Sequence, residues 1–363
     1  MFKSKFFRTY LLPGFIFQSI VVGGGYGTGR ELVEFFMVEG PLAGLMGMMV
    51  SMILWSIILA ISFELARMSK SYNYRTFIKS VLGKGWPIYE IVYGIGLVLV
   101  VSVLGSASGK LAYSMFGLPE IAGIIMMMIM VGLLAFYGTK LIERVLSFWS
   151  IGLYLAFFIL IVTCLWFFGG QIADNIFTYT KGSKWLQGGI RYSAYNIGIM
   201  PAMIYVVRHF DNRKEALISG TVAGALTMIP GFFIYIAMLS SYPEILSESI
   251  PINFLLGTLG FPAFMFVFQI ILFGTFIETG VGLIHGFNER VAGVYKEKNK
   301  VMPRSFRAGI AVIILTCSIF IADAVGIVSL IAKGYGALTW GYMLAFVIPV
   351  LTIGLYKIKL SKS

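Results

Sequence analysis

Cysteine and histidine are almost missing from this chain, with two of each in 363 residues. Cys164 and Cys317 both lie in long apolar runs, which excludes a disulfide framework and a thiolate zinc site. His209 and His285 are too few for a histidine-rich metal centre. Charge is scarce as well. Asp, Glu, Lys and Arg make up 12% of the residues, against about 25% in ordinary soluble domains. In their place stand 58% hydrophobic residues and a mean hydropathy of +0.89. Soluble globules and disordered chains are excluded together. The formal net charge of +12 does not point to nucleic acid, because the basic residues fall between apolar stretches instead of clustering on one face or tail. The pattern is that of an all-α integral membrane protein with the lipid bilayer as its surroundings.

A membrane-crossing helix needs about 20 mostly apolar residues. Ten segments qualify, roughly 10–37, 41–66, 86–113, 119–138, 142–168, 188–207, 214–240, 260–288, 305–323 and 327–356. With both termini in the cytoplasm, 22 of the 28 Lys and Arg fall on the inner side, and every inner connection carries some of them. Nine or eleven spans would break that alternation. The start, with Lys3, Lys5 and Arg8 ahead of an apolar run, imitates a signal peptide, but glycines followed by Arg30 and Glu31 stand where a cleavage site would be. It reads as an uncleaved first span. An energised membrane, most simply a bacterial inner membrane, is the expected location. The 68–84 stretch mixes Tyr, Phe, Ile and Val with Lys and Arg, which predicts a short interfacial helix.

Shifting the chain by 189 residues lays span five on span ten. Leu141-Ile142-Glu143-Arg144 meets Leu330-Ile331-Ala332-Lys333, and Gly152, Leu155, Ala156, Phe157 and Ile159 meet Gly341, Leu344, Ala345, Phe346 and Ile348. Pairing five with ten divides a single membrane domain into two halves, 1–168 and 188–356. Duplicating an odd number of spans forces the halves into opposite orientations, as in inverted-repeat transporters. Spans one and six should then correspond, and both are interrupted. Span one holds five glycines in the seven residues Gly23 to Gly29. Each costs about 1 kcal/mol in a helix interior relative to alanine, and they lie on all faces, so they predict unwound backbone instead of one packing face. Span six holds Tyr195-Asn196-Ile197-Gly198 and then Pro201. Unwound backbone is tolerated at membrane depth only where it lines a cavity. The glycine run is no phosphate-binding loop, since no strand precedes it and no Gly-Lys-Ser/Thr ends it.

These features, with GGGYGTGRE at their centre, resemble the leucine-transporter fold of the amino acid–polyamine–organocation superfamily. More narrowly, the chain resembles the YkvI-like bacterial membrane proteins. The resemblance implies a substrate site at the broken helices. The N–H groups around Gly25, Gly27 and Thr28 would hold a carboxylate with help from the helix dipole. Tyr26 stands in the same break, and Tyr195 and Asn196 would line the other wall. It also implies a sodium ion between span one carbonyls near Gly23 and span eight. There Thr275, Glu278 and Thr279 share one helical face at i, i+3 and i+4 and offer hard oxygen donors. Glutamate replaces the more usual aspartate or small residue, so Glu278 as a proton carrier stays open. Span five, from Val145 to Phe168, has no lysine such as some proton-coupled relatives place there. In the wider fold an arginine beyond span one forms an outer gate with a later acid, which would pair Arg30 with Asp323.

Glu278 is the sole charge between Phe261 and Leu283, and charges at membrane depth are costly and functional by default. Lys110 near the outer end of span three reads as a snorkelling residue, and His285 as a satisfied helix-end residue. The expected function is cation-coupled symport of a small solute, an amino acid or small carboxylate, by alternating access, with no cofactor. A proton-coupled transporter using Glu278 and a non-transporting ligand sensor of the same fold are the rivals. An intramembrane enzyme would cluster catalytic groups at one depth, and the sequence has no such cluster.

Overall fold

The computed structural model describes residues 4–137, 139–178, 182–297 and 299–360, with side chains at all of these except 24, 136–151, 178 and 297. Among the described residues every regular element is helical. Among the described residues seven helical stretches are long and apolar enough to cross a membrane: Pro41–Met68, Tyr74–Phe116 (in which a 3-10 turn, Gly83–Gly85, separates Tyr74–Leu82 from Trp86–Phe116), Gly152–Phe177, Arg213–Ser241, Pro262–Lys296, Arg304–Val325 and Ile327–Leu360. Glu120–Ala135 is a shorter apolar helix. The segments near 10–37 and 188–207 are not single helices; both break, at the positions described below. The first half of the repeat match, Leu141 to Arg144, lies outside the described side chains.

Local chemistry sets the element ends. Pro41 and Pro251 open their helices, where a missing N–H costs nothing. Asn73 and Asn212 cap theirs, accepting the N–H of Thr76 at 2.9 Å and of Glu215 at 3.0 Å. The Asn73 cap starts the Tyr74–Leu82 helix, the short amphipathic element expected in 68–84, which buries Phe77, Ile78 and Val81.

Lipid supplies no hydrophobic drive between helices, so close backbone approach has to supply the contact. The tightest crossing joins Pro41–Met68 to Arg213–Met238. A Cβ on Gly220 would strike the backbone of Leu59 and Ala60, and one on Gly224 the backbone of Ser56. Small residues four apart on both helices thus interlock. The Ser56 hydroxyl donates to the Thr221 carbonyl across the same crossing at 2.9 Å. Trp55, fully buried, ties three segments together. Its ring meets Phe17 edge-on at 5.4 Å and Tyr192 at 5.6 Å, and its indole N–H donates to the Ser193 carbonyl at 3.2 Å.

Candidate substrate and ion site at the two broken helices

Span one runs as Leu12–Val21, a single turn Gly24–Gly27, and Arg30–Phe35. The first break falls at Val22, whose ψ of 76° leaves the helical region. The second falls at Gly29, with φ +79°, a left-handed conformation that favours glycine. Span six runs helically from Trp185 to Ile197, passes Gly198 and Ile199, and continues as a 3-10 helix over Met200–His209. The carbonyl freed at Gly198 is not left bare: the Tyr89 hydroxyl donates to it at 2.6 Å.

The polar groups of the breaks have definite partners. The Gly27 N–H donates to the Gly23 carbonyl at 2.7 Å, and the Thr28 hydroxyl to the Gly25 carbonyl at 2.9 Å. The Thr28 carbonyl accepts the Ile252 N–H at 3.1 Å. Asn196 donates to the Tyr192 carbonyl within its own helix at 3.2 Å. Tyr26 is fully buried against Gly231. Of the expected substrate residues, Gly25 and Tyr195 meet at one point, and the group that joins them is Glu31.

Glu31 is 4% exposed, and its carboxylate folds back over Gly25, where a Cβ would overlap it. The Tyr195 hydroxyl donates to its Oε2. That donor, Tyr195, meets Tyr192 edge-on at 5.6 Å. Tyr335 stacks on Tyr195 at 4.8 Å, and Phe35 packs on it at 5.4 Å. Among the described residues no cation forms an ion pair with Glu31. In the sequence, an acid directly after a glycine run resembles an interfacial group. The turn at Gly29 brings it back inside.

Arg30, the neighbour, faces the other way. Its Nη1 donates to the carbonyls of Leu246 and Glu248 at 2.9 and 3.0 Å, and its Nη2 to Glu34 at 3.0 Å. The expected pair with Asp323 is replaced by this set. Arg30 begins a helix, which puts Glu34 one turn along the same face, while Asp323 is exposed near the end of Arg304–Val325. Lys110 pairs with Glu120 at 2.5 Å across the turn between two helices, both side chains being more than a third exposed. Lys110→Met is therefore expected to change stability by less than about 1 kcal/mol, read as a nearly unmoved thermal midpoint.

At the other break, Gly23 lies against span eight, with a Cβ there 3.3 Å from the Thr279 Cγ2. The hydroxyls of Thr275 and Thr279 donate to the carbonyls four residues earlier, of Ile271 at 2.9 Å and of Thr275 at 3.0 Å. With their protons committed inside the helix, both oxygens keep lone pairs for a cation. Glu278 is half-buried on the same helix.

Beyond Gly198 a cavity of about 830 Å³ opens, lined among others by Ala202, Tyr74, Glu90, Phe287 and Arg290. The Arg290 guanidinium sits over the rings of Tyr74 and Tyr93, 3.7 and 3.3 Å from their centroids.

Two broken helices crossing at a buried polar centre can be compared with known proteins. MhsT in complex with L-phenylalanine superposes with a TM-score of 0.60, over 97% of this chain and 98% of that one, at 15% identity. The fold is the leucine-transporter fold. A manganese transporter from Eremococcus coleocola, solved with an aromatic bis-isothiourea compound, superposes at 0.58 over 96% and 79%, at 14% identity. In sequence the chain is similar to the uncharacterized membrane protein YkvI of Bacillus subtilis (strain 168), 22% identical over 289 residues, which cover 79% of this chain and 82% of that one. No family model matches. Together with the seven apolar helices among the described residues, this supports a multi-pass membrane protein of that fold, similar in sequence to YkvI.

Proposed function

We propose that this protein is a secondary transporter that moves a small solute, an amino acid or a small carboxylate, by alternating access, coupled to sodium. The observation that carries the reading is the pair of broken helices, whose polar groups meet at a buried centre while Gly23 abuts Thr279 on span eight. Ten spans in two inverted halves, with both termini in the cytoplasm, belong to the same proposal. Under it, the 830 Å³ cavity beside Arg290 is the inner vestibule. The anchors from Arg30 to the 246–248 carbonyls close the outer side. Sodium would bind to Thr275, Glu278 and Thr279 with carbonyls near Gly23. MhsT is solved in complex with L-phenylalanine and the second neighbour is named a manganese transporter, which fits a transporter and leaves the choice of solute to this chain's own site.

Thermal unfolding in detergent tests the ion. Sodium, and neither lithium nor potassium at equal ionic strength, is expected to raise the midpoint. A ligand at a hundred times its dissociation constant adds about 2.7 kcal/mol by mass action. Glu278→Gln and Thr279→Val are expected to erase that rise. A response to pH alone, lost in Glu278→Gln, would transfer the coupling to protons. No response to either ion would leave a sensor of the same fold.

A further inference from the structure

A guanidinium carries five N–H donors, and burying them without acceptors is costly. Arg290, near the C-terminal end of span eight, is placed in that way. Its Nη1 and Nη2 are buried, and among the described residues neither has a hydrogen-bond partner. Stacking holds the group instead. The ring centroids of Tyr74 and Tyr93 lie 3.7 and 3.3 Å from its central carbon and 6.4 Å from each other, so the guanidinium sits between the two rings. Ring faces attract its charge and leave the N–H groups, which lie in its plane, unused. Orphaned buried donors are rare in native structures and call for a cause. The cause suggested by the surroundings is a ligand, because Arg290 and Tyr74 are both walls of the 830 Å³ cavity.

The rest of the wall indicates what fits there. Arg75 and Lys296 add to the charge of Arg290, against Glu90 and Glu289. Glu289 is already paired with Arg307 at 2.7 Å, and Glu90 makes no hydrogen bond to the Arg290 Nη atoms. The balance left is positive, and with three cations on the wall it favours a dianion over a carboxylate. Trp86 and Phe287 supply aromatic surface, and the volume falls within the range of about 300–1,000 Å³ usual for small-molecule sites. A guanidinium fork meets two oxygens of a phosphate at once. We infer that this cavity is a binding site for a phosphate group carried on an apolar body, with Arg290 as its anchor and Tyr74 as its cover. The phosphate displaces the Tyr74 ring and takes the N–H groups that the rings leave unused. A soluble organic phosphate and the headgroup of an anionic phospholipid present that same group. The inference stands on the cavity and its arginine, and does not need the protein to transport.

Thermal midpoints of the purified full-length protein, read at constant ionic strength, test it. Phenyl phosphate is compared with phenol, and dihexanoyl phosphatidic acid with dihexanoylglycerol; within each pair only the phosphate differs. A phosphate probe is expected to raise the midpoint and its phosphate-free counterpart is not. A rise with phenyl phosphate alone assigns the site to a soluble ligand, and one with phosphatidic acid alone to a lipid headgroup; either upholds the inference. Arg290→Gln should weaken phosphate binding about 30-fold or more. Arg290→Lys, which keeps the charge and loses the fork, should retain part of it and shows that the region still folds. Tyr74→Ala uncovers the fork and should bind tighter, by up to about 30-fold, the equivalent of a desolvated cation–π contact of about 2 kcal/mol. Tyr74→Phe keeps the ring and should match the unaltered protein. No response to either phosphate, an equal response to the phosphate-free counterpart, binding undiminished in Arg290→Gln, or weaker binding in Tyr74→Ala overturns the inference. A sodium response with no phosphate response overturns it and leaves the transporter reading intact; the reverse result does the opposite.

Discussion

Gly220→Val is expected to cost about 3 kcal/mol or more, and to yield protein that aggregates on extraction. The reason is the partner. A β-carbon at this position would meet the main chain of Leu59 and Ala60, where no rotamer change can make room. Overpacking a close-packed interior costs roughly 1–3 kcal/mol even where side chains can move aside. Here two whole helices, Pro41–Met68 and Arg213–Met238, must separate, which also breaks the Ser56 to Thr221 hydrogen bond. Gly224→Val is expected to behave alike, since its β-carbon would strike the Ser56 backbone. Gly94→Ala is the control. Nothing lies within 4 Å of a β-carbon there, and alanine is the better helix former by about 1 kcal/mol. Fluorescence-detected gel filtration with thermal midpoints separates these cases. Equal behaviour of Gly220→Val and Gly94→Ala would mean that the two helices do not cross at this point.

The contrast between Gly220 and Gly23 to Gly29 shows what a sequence exposes. Five glycines in seven residues cannot all serve one packing face, so an unwound segment was legible from density alone. The polar interruption at Tyr195-Asn196 and Gly198 was legible in the same way. Glycines four apart at 220 and 224 are also visible in the sequence, but they signal a crossing only once the facing backbone is known. The span eight face was readable because helical periodicity puts Thr275 and Thr279 together, and the break at Gly23 then lands against Thr279.

The centre of the site was not readable, for a geometric reason. Glu31 follows directly on Arg30, and the two together look like a pair at the membrane surface. One residue in the left-handed region, Gly29, turns them to opposite sides. Arg30 goes to carbonyls more than two hundred positions along the chain, and Glu31 to the gap over Gly25. Tyr335 joins the walls from the last span. Such convergence depends on the path of the chain, which local pattern does not encode. The Arg30–Asp323 expectation failed for the same reason: spacing along a helix makes Glu34 available at once, whereas Asp323 depends on how distant ends meet.

The bond between Tyr195 and Glu31 leads to a result that simple loss of contacts would not produce. Tyr195→Phe removes the hydroxyl and leaves the carboxyl buried without its donor, at a cost of about 1–3 kcal/mol. Glu31→Leu removes the acceptor and strands the tyrosine hydroxyl in the same way. Joining the two changes leaves two apolar groups in contact, an exchange that is nearly neutral for a hydrogen-bonded pair. The double variant is therefore expected to be more stable than Tyr195→Phe alone, with a coupling in the range of about 0.5–3 kcal/mol found for groups in direct contact. Unfolding of all four proteins in the same detergent measures it. Purely additive losses would mean that the two side chains do not share a buried hydrogen bond. The fold can thus dispense with the Glu31 carboxyl group once Tyr195 no longer requires an acceptor.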